Sequence, residues 1–416
     1  MSQTLRGNAI VGQSGGPTAA INATLSGVIR GALASECIDT VYGAYYGVEG
    51  MLEGSYCNLN QLFGTEEQLK ALETTPSAAL GSCRKRLPAP DSESEEDKAV
   101  YETLLRFFRS LDIRYFFYIG GNDSMDTVAK LTAYTSACGY EMRIIGVPKT
   151  IDNDLVGTDH TPGFGSAAKY VATSISEMLC DCAAYTVKAV TIVEIMGRDA
   201  GWLTTAAALA GASGRSPDLI YLPERVFDFE RFYSDVEAAL EKHPNVMVAV
   251  SEGIRLADGR YAGESIQHST TDAFGHKSLS GTAKALELAI KDKFGCKVRS
   301  VELSILQRCA AHIGSLTDIT ESIRVGRGAV MAAIQGVSGK MMTILRQSET
   351  PYQSTISFEE IDKIANQVKR VPDAYINEAG NGITDACLAY LRPLIQGESY
   401  PTYQNGIPYV VKIKES

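Results

Sequence analysis

Short apolar runs of strand length alternate with longer stretches of helical periodicity along most of this 416-residue chain. Asn8–Val11 is one such run. It enters Gly12-Gln13-Ser14-Gly15-Gly16, too rich in glycine for the interior of either regular element. After Pro17, well placed for a first helical turn, the stretch Ala19–Ala34 carries Ile21, Leu25 and Ile29 at steps of four and predicts a helix. The unit recurs: the β-rich run Tyr115–Ile119 meets Gly120-Gly121-Asn122-Asp123-Ser124, and a helical pattern continues to about Tyr134. Arg143–Val147, Lys188–Ile195, Asn245–Val250 and Val298–Leu303 predict four further strands, the first ending at Pro148.

Strands alternating with helices predict an α/β fold of mostly parallel sheets with helices on both faces. Ligands of such sheets lie beyond the carboxyl ends of the strands, and every unusual loop here lies at such an end. This alternation, together with the family resemblance that the motifs below carry, implies two Rossmann-like three-layer units facing a shared cleft, over residues 1–185 and 186–330. A helical segment, 331–416, is expected to complete or decorate them, with the chain returning from the second unit to the first.

Composition narrows the function classes. Hydrophobic residues at 45% and charged residues at 21% support a full core and exclude a disordered chain. A formal net charge of −10 argues against an extended nucleic-acid or anionic-membrane surface, yet leaves room for a small basic pocket. No apolar run approaches the ~20 residues of a membrane span, and Met1–Arg6 has no apolar signal core, so a cytoplasmic protein is expected. Of nine cysteines only Cys180 and Cys182 are close, and C-x-C is not zinc spacing; reduced thiols are expected. The five histidines, His160, His243, His268, His276 and His312, show no metal spacing either. The acidic run Asp91–Asp97 precedes a helix expected over Ala99–Leu111 and reads as its solvated start, Ser94 with Asp97 resembling a capping box.

Three loops can carry chemistry. Gly15-Gly16 exposes backbone N–H groups before a helix, which suits an anion, although a plain tight turn would look the same. Gly120–Ser124 repeats that device with Asp123 added; on this loop alone a helix N-cap is the better reading. A carboxylate there would also repel a phosphate, by about 4 kcal/mol at ~4 Å and an effective dielectric of ~20. Pro148-Lys149-Thr150-Ile151-Asp152-Asn153-Asp154 follows a strand directly, so Asp152 and Asp154 can face one site, one as a base and the other helping to hold Mg²⁺. Lys149 supplies a compact positive charge for a phosphoryl group in transit. Met196-Gly197-Arg198, Glu252, Arg299 and Arg308 lie at or near other strand ends, where arginines suit phosphate and Glu252 suits sugar hydroxyls. No nucleophile elbow and no Walker lysine loop is present. The residues together point to Mg²⁺-assisted phosphoryl transfer to a hydroxyl of a phosphorylated sugar.

In this order and spacing the stretches GGPTAAINA (15–23), GGNDS (120–124), PKTIDND (148–154), MGR (196–198), SEG (251–253) and QR (307–308) resemble the phosphofructokinase family over roughly residues 8–330. Members using ATP typically show GGDGS and a glycine before TIDND. Asp123 and Lys149 stand at those two glycine positions, which resembles the pyrophosphate-dependent branch. The resemblance implies near-reversible transfer from pyrophosphate to the 1-hydroxyl of fructose 6-phosphate, giving fructose 1,6-bisphosphate and phosphate, a step of glycolysis and gluconeogenesis. It implies Asp152 as base, with Asp154 and Thr150 lining the same site and Ile151 beside them. Gly15, Gly16, Arg84, Gly121, Asp123, Ser124 and Lys149 are implied on the donor. Met196, Gly197, Arg198, Glu252 and Arg308 are implied on the sugar phosphate, Arg299 across the interface of a homodimer or higher homo-oligomer, and Asn122 with Asp152 on Mg²⁺. The chain departs from the family pattern at Asn122, usually aspartate, at Ile305, often His or Tyr, at Cys309-Ala310, usually two glycines, and at Ala189, an arginine in bacterial ATP enzymes. An ATP-dependent enzyme and a non-catalytic regulatory subunit of the same fold are the alternatives, the second disfavoured by the intact TIDND. An NAD-kinase-like protein would explain none of the MGR, SEG and QR sites.

Overall fold

Apolar strands collect into two sheets in the computed structural model, which describes residues 4–264, 281–365 and 367–413. His268 and His276 lie outside the described residues. The first sheet has the order β12-β11-β5-β4-β1-β2-β3, from β1 (Gly7–Gln13), β2 (Ile38–Ala44), β3 (Tyr56–Asn58), β4 (Ile113–Gly120), β5 (Arg143–Pro148), β11 (Lys340–Glu349) and β12 (Tyr352–Glu360). Its five inner strands are parallel, with Val11 opposite both Gly43 and Phe117, and Phe117 opposite Ile145. The two outermost, β3 and β12, run antiparallel to their neighbours. The second sheet is wholly parallel, β7-β8-β6-β9, from β6 (Ala189–Ile195), β7 (Leu219–Tyr221), β8 (Asn245–Ser251) and β9 (Lys297–Glu302). A two-residue strand, β10 (Gly314–Ser315), pairs with Glu398–Ser399 outside both sheets.

Parallel strands need helical crossovers, and these cover both faces of each sheet. One face of the first sheet packs the helices Ile21–Leu33 and Leu316–Ile334 on Ala9, Val11 and Phe117. The other packs Glu95–Ser110 and Asn122–Ala137 on Ile10, Phe116 and Ile144. In the second sheet Phe229–Lys242 and Thr282–Phe294 cover Val190, Ile192 and Val248. Phe164–Ala183 covers Val193 and Met247 on the opposite face. None of the nine cysteines forms a disulfide, and no described helix is long and apolar enough to cross a membrane.

All six predicted strands form, and the structure corrects several details. The first helix starts at Ile21, because Thr18 Oγ1 accepts from the N–H groups of Ala20 and Ile21 and turns the chain there; Pro17 lies outside it. The helix begins inside the acidic run, at Glu95, with Ser94 accepting from Asp97 N at 3.4 Å, while the Asp97 carboxylate turns to Ser92. Residues expected to be helical after 330 include the long hairpin β11–β12. Met341–Ile344 is buried where β11 meets β5, and beyond it exposed and half-buried positions interleave on an edge, a pattern without the glycine loops that mark the other strands.

Candidate active site

The glycine loop after β1 is held by its own polar side chains. Buried Gln13 donates to Asn22 and accepts from Leu80 N, both at 2.9 Å, and Asn22 donates to the carbonyls of Thr75 and Ser77. These bonds draw in residues 75–83. Ser14 then bridges Cys83, Gly15 N donates to Cys83 O, and Ser82 donates to Gly15 O. Gly15 needs its φ of +76° for this path. The next residue, Arg84, is thereby brought close enough for its charge to act on Lys149.

The second glycine loop lies beside the first. A Cβ at Gly120 would meet Ser124 Oγ at 1.9 Å and Ser14 Cβ at 3.3 Å, so glycine is what lets the two loops and the following helix approach. The N-cap of that helix is Gly121, and Asp123 is its second residue. The N-cap reading of Asp123 is therefore corrected: its carboxylate instead pairs with Arg86 at 2.9 Å. Ser124 is buried behind it. Asn122 donates to Gln367 O at 2.9 Å, leaving its Oδ1 buried and without a partner among the described residues.

Lys149 follows β5 and joins the two loops. Its N–H donates to Gly120 O, and its buried ammonium donates to Gly16 O at 2.6 Å. Burial, aided by Arg308, pulls its pKa down to about 8. Thr150 is fixed between Pro162 O and Thr161 Oγ1, and its hydroxyl accepts from Asp152 N at 3.1 Å. Burial pushes the Asp152 carboxyl up, while Lys149, Arg198 and Arg308 pull it down. Asp154 is pushed up to about 7, by burial first and then by the Asp152 charge. Ile151 turns away into the apolar core with Phe164 and Trp202.

The second sheet supplies the opposite wall. Gly197 N donates to Glu252 Oε1 at 3.3 Å, Met196 N donates to Gln307 Oε1, and Ser251 Oγ donates to Gly197 O. A Cβ at Gly253 would lie 2.0 Å from Arg198 O, so that glycine makes room for the MGR loop. Arg198 Nε is buried without a partner among the described residues. Burial raises Glu252 to about 8, and Asp152 is one of the charges acting on it.

Asp152 thus has Lys149, Arg198, Arg308 and Glu252 around it. Arg308, read as a sugar-phosphate contact, has its guanidinium over Gly16: a Cβ there would be 3.2 Å from Nη2. Arg299 lies elsewhere, in mid-strand on β9, half-exposed and paired with Asp181 at 3.3 Å. Sequence reasoning passed over Arg86, two residues beyond Arg84 in the same basic run, which could have pointed to it. It also passed over Lys369 and Tyr390, which reach the Asp152 loop from behind and carry no sequence signal. Among the described residues no three His, Cys, Asp or Glu side chains gather as a metal site. The unpartnered Asn122 Oδ1 and the Asp152 carboxylate are each the kind of oxygen a hard cation takes beside phosphate and water.

Two α/β sheets whose glycine loops, buried lysine and paired aspartates meet at the strand ends define a phosphoryl-transfer fold, and the chain belongs to the phosphofructokinase family, whose profile matches residues 8–333. It is 42% identical over 410 residues to a protein of Methylococcus capsulatus named pyrophosphate–fructose 6-phosphate 1-phosphotransferase, covering 98% of this chain and 96% of that one. A protein of Halomonas elongata with the same name is equally similar, at the same coverage. The crystal structure of a pyrophosphate-dependent phosphofructokinase from Nitrosospira multiformis superimposes with a TM-score of 0.87 at 38% identity, over 98% of this chain and 96% of that one.

Proposed function

We propose that this chain transfers a phosphoryl group from pyrophosphate to the 1-hydroxyl of fructose 6-phosphate, in either direction. The observation that carries the donor choice is Asp123, held by Arg86 at the second glycine loop, together with the Lys149 ammonium on Gly16 O. The carboxylate fills and charges the space a nucleotide's α-phosphate would need, and the ammonium sits where a two-phosphorus anion meets the acceptor. The names of the full-length relatives support the same reading.

Asp152 takes the proton of the 1-hydroxyl as the new P–O bond forms. The bond from the moving phosphorus to the bridging oxygen breaks, and phosphate leaves with that oxygen. Lys149 faces the moving group, as does the unpartnered Arg198 Nε, which steadies its charge or that of the sugar phosphate. Arg84, Gly15, Gly16, Gly121 and Ser124 hold the donor. Thr150, Met196, Gly197, Glu252 and Arg308 hold the sugar, with Arg299 donated across a homodimer. The family's divalent metal is Mg²⁺ in this reading; Asp152 and Asn122 would hold it, and it would neutralise pyrophosphate charge. The unit expected over 1–185 is the donor side and that over 186–330 the sugar side, except that Phe164–Ala183 packs on the second sheet and Leu316–Ile334 with β11 and β12 on the first; the protein works in the cytoplasm without nucleic acid or membrane.

A donor assay on the purified protein is the test. Turnover is expected with fructose 6-phosphate and Mg²⁺ when pyrophosphate is supplied, and background only with ATP. Replacing Asp123 and Lys149 together by glycine is expected to weaken pyrophosphate use and to admit ATP. Wild-type turnover with ATP alone would overturn the role given to Asp123.

A further inference from the structure

The loop carrying Asp152 contains a strained residue whose side chain faces away from the reacting groups. Asn153 has φ +52° and is completely buried. Asparagine adopts the left-handed region more readily than other non-glycine residues, but one fixed conformation in a buried loop still needs partners that hold it. Here two side chains from the far end of the chain do so. Asn153 Nδ2 donates to Tyr390 Oη at 3.0 Å, and Lys369 Nζ donates to Asn153 Oδ1 at 3.4 Å. The Lys369 backbone N–H also donates to Asp154 O at 2.8 Å.

Both anchors are themselves fixed. Tyr390 Oη donates to Asp159 O, and its ring lies under the Arg346 guanidinium, 4.5 Å from the ring centre. Arg346 pairs with Asp159, which pairs with His160, which pairs with Glu321. Lys369 Nζ also reaches the carbonyls of Thr158 and Asp159 and lies over the Trp202 ring, whose Nε1 donates to Lys369 O. Two residues on, Val371 N shares Glu224 Oε1 with Gly201 N, three residues past Arg198. Residues 369–371 therefore touch the Asp152–Asp154 loop on one side and, through Glu224 and Trp202, are tied to the end of the loop after β6 on the other.

We propose that Asn153, Lys369 and Tyr390 are positioning residues: they clamp the strained Asp152–Asp154 turn from behind and set its place relative to the loop carrying Arg198. The inference rests on Asp152 being the base. None of the three faces the reacting groups, so the clamp acts on the rate of the chemical step and little on binding. A misplacement of about 1 Å costs on the order of 10²-fold in rate.

Steady-state kinetics with pyrophosphate and fructose 6-phosphate test this on the full-length enzyme. Tyr390→Phe keeps the ring under Arg346 and removes the hydroxyl. Asn153→Gly keeps a residue at ease at φ +52° and removes both anchor contacts. In each, kcat is expected to fall about 10- to 100-fold, with KM for either substrate within about threefold. Asn153→Gly is expected to melt close to wild type, and it decides alone should Tyr390→Phe not fold. A wild-type kcat in folded Asn153→Gly, or a raised KM at unchanged kcat, overturns the clamp. Asp152→Asn in the same assay separates the two claims. An inactive Asp152→Asn beside a fully active Asn153→Gly sinks the clamp alone, whereas an active Asp152→Asn removes the base and the clamp with it.

Discussion

His160 is buried between two carboxylates, at 2.7 Å from Asp159 Oδ2 and 2.6 Å from Glu321 Oε2. Burial pulls its pKa down, but the two carboxylates outweigh it and raise the value to about 9. A histidine raised above its unfolded value near 6.5 stabilises fully below that pH and loses its contribution as the pH passes through the folded value. The stability difference between wild type and His160→Gln, read from urea unfolding, is therefore expected to be largest below pH ~6.5 and to shrink by about pH 9. A difference that grew with pH would show the imidazole neutral in the fold. Lys149, Lys369 and Glu252 titrate in the same range, which is why the comparison of the two proteins is the informative quantity. Gly15, Asp123, Lys149, Asp152, Arg198 and Glu252 were legible as candidates, since each sits in a loop directly after a predicted strand. Lys369 and Tyr390 were not, because a positioning role is defined by what lies opposite in space, and nothing in their neighbourhood along the chain records it.

The first glycine loop also depends on how two helices meet. Ile21–Leu33, which follows it, crosses Leu316–Ile334 with backbones in contact. A Cβ on Gly27 would be 2.2 Å from Ile323 O, and one on Gly326 would be 2.2 Å from Thr24 O. In an isolated helix alanine is better than glycine by about 1 kcal/mol. At this crossing the sign reverses, since the added methyl meets backbone that cannot yield. Gly27→Ala is expected to destabilise the protein by about 1–3 kcal/mol in urea or thermal unfolding. A neutral or stabilised variant would mean the helices can part without cost. Sequence reading treats such a glycine as a mild helix weakener, because the partner helix lies about 300 positions further on. It located the strand and loop units well, since a buried parallel strand leaves a continuous apolar run. The edge hairpin β11–β12 escaped it because half of each strand faces solvent.

At the scale of the molecule, Arg299 lies at the surface on Asp181 rather than with the groups around Asp152. A sugar-phosphate role for it requires a second subunit. Arg299→Ala and Asp152→Asn are each expected to be nearly inactive. Unfolded together and refolded as a mixture, they should recover about a quarter of wild-type activity, since half the dimers of a two-fold assembly are mixed and each mixed dimer has one complete site. No recovery would place Arg299 outside any shared site. The clamp at residues 369–371 adds a second link between the two sheets, within one subunit.

The order in which strands join the first sheet has a consequence for synthesis. β5 lacks its outer neighbour until β11 and β12 have been made, whereas every strand of the second sheet is complete by residue 302. On the ribosome, the later-encoded sheet is thus able to close while the earlier one still offers a bare hydrogen-bonding edge. The nascent protein must carry that adhesive edge from Pro148 to Lys340, nearly half of its length, and this interval is where a chaperone would be needed most.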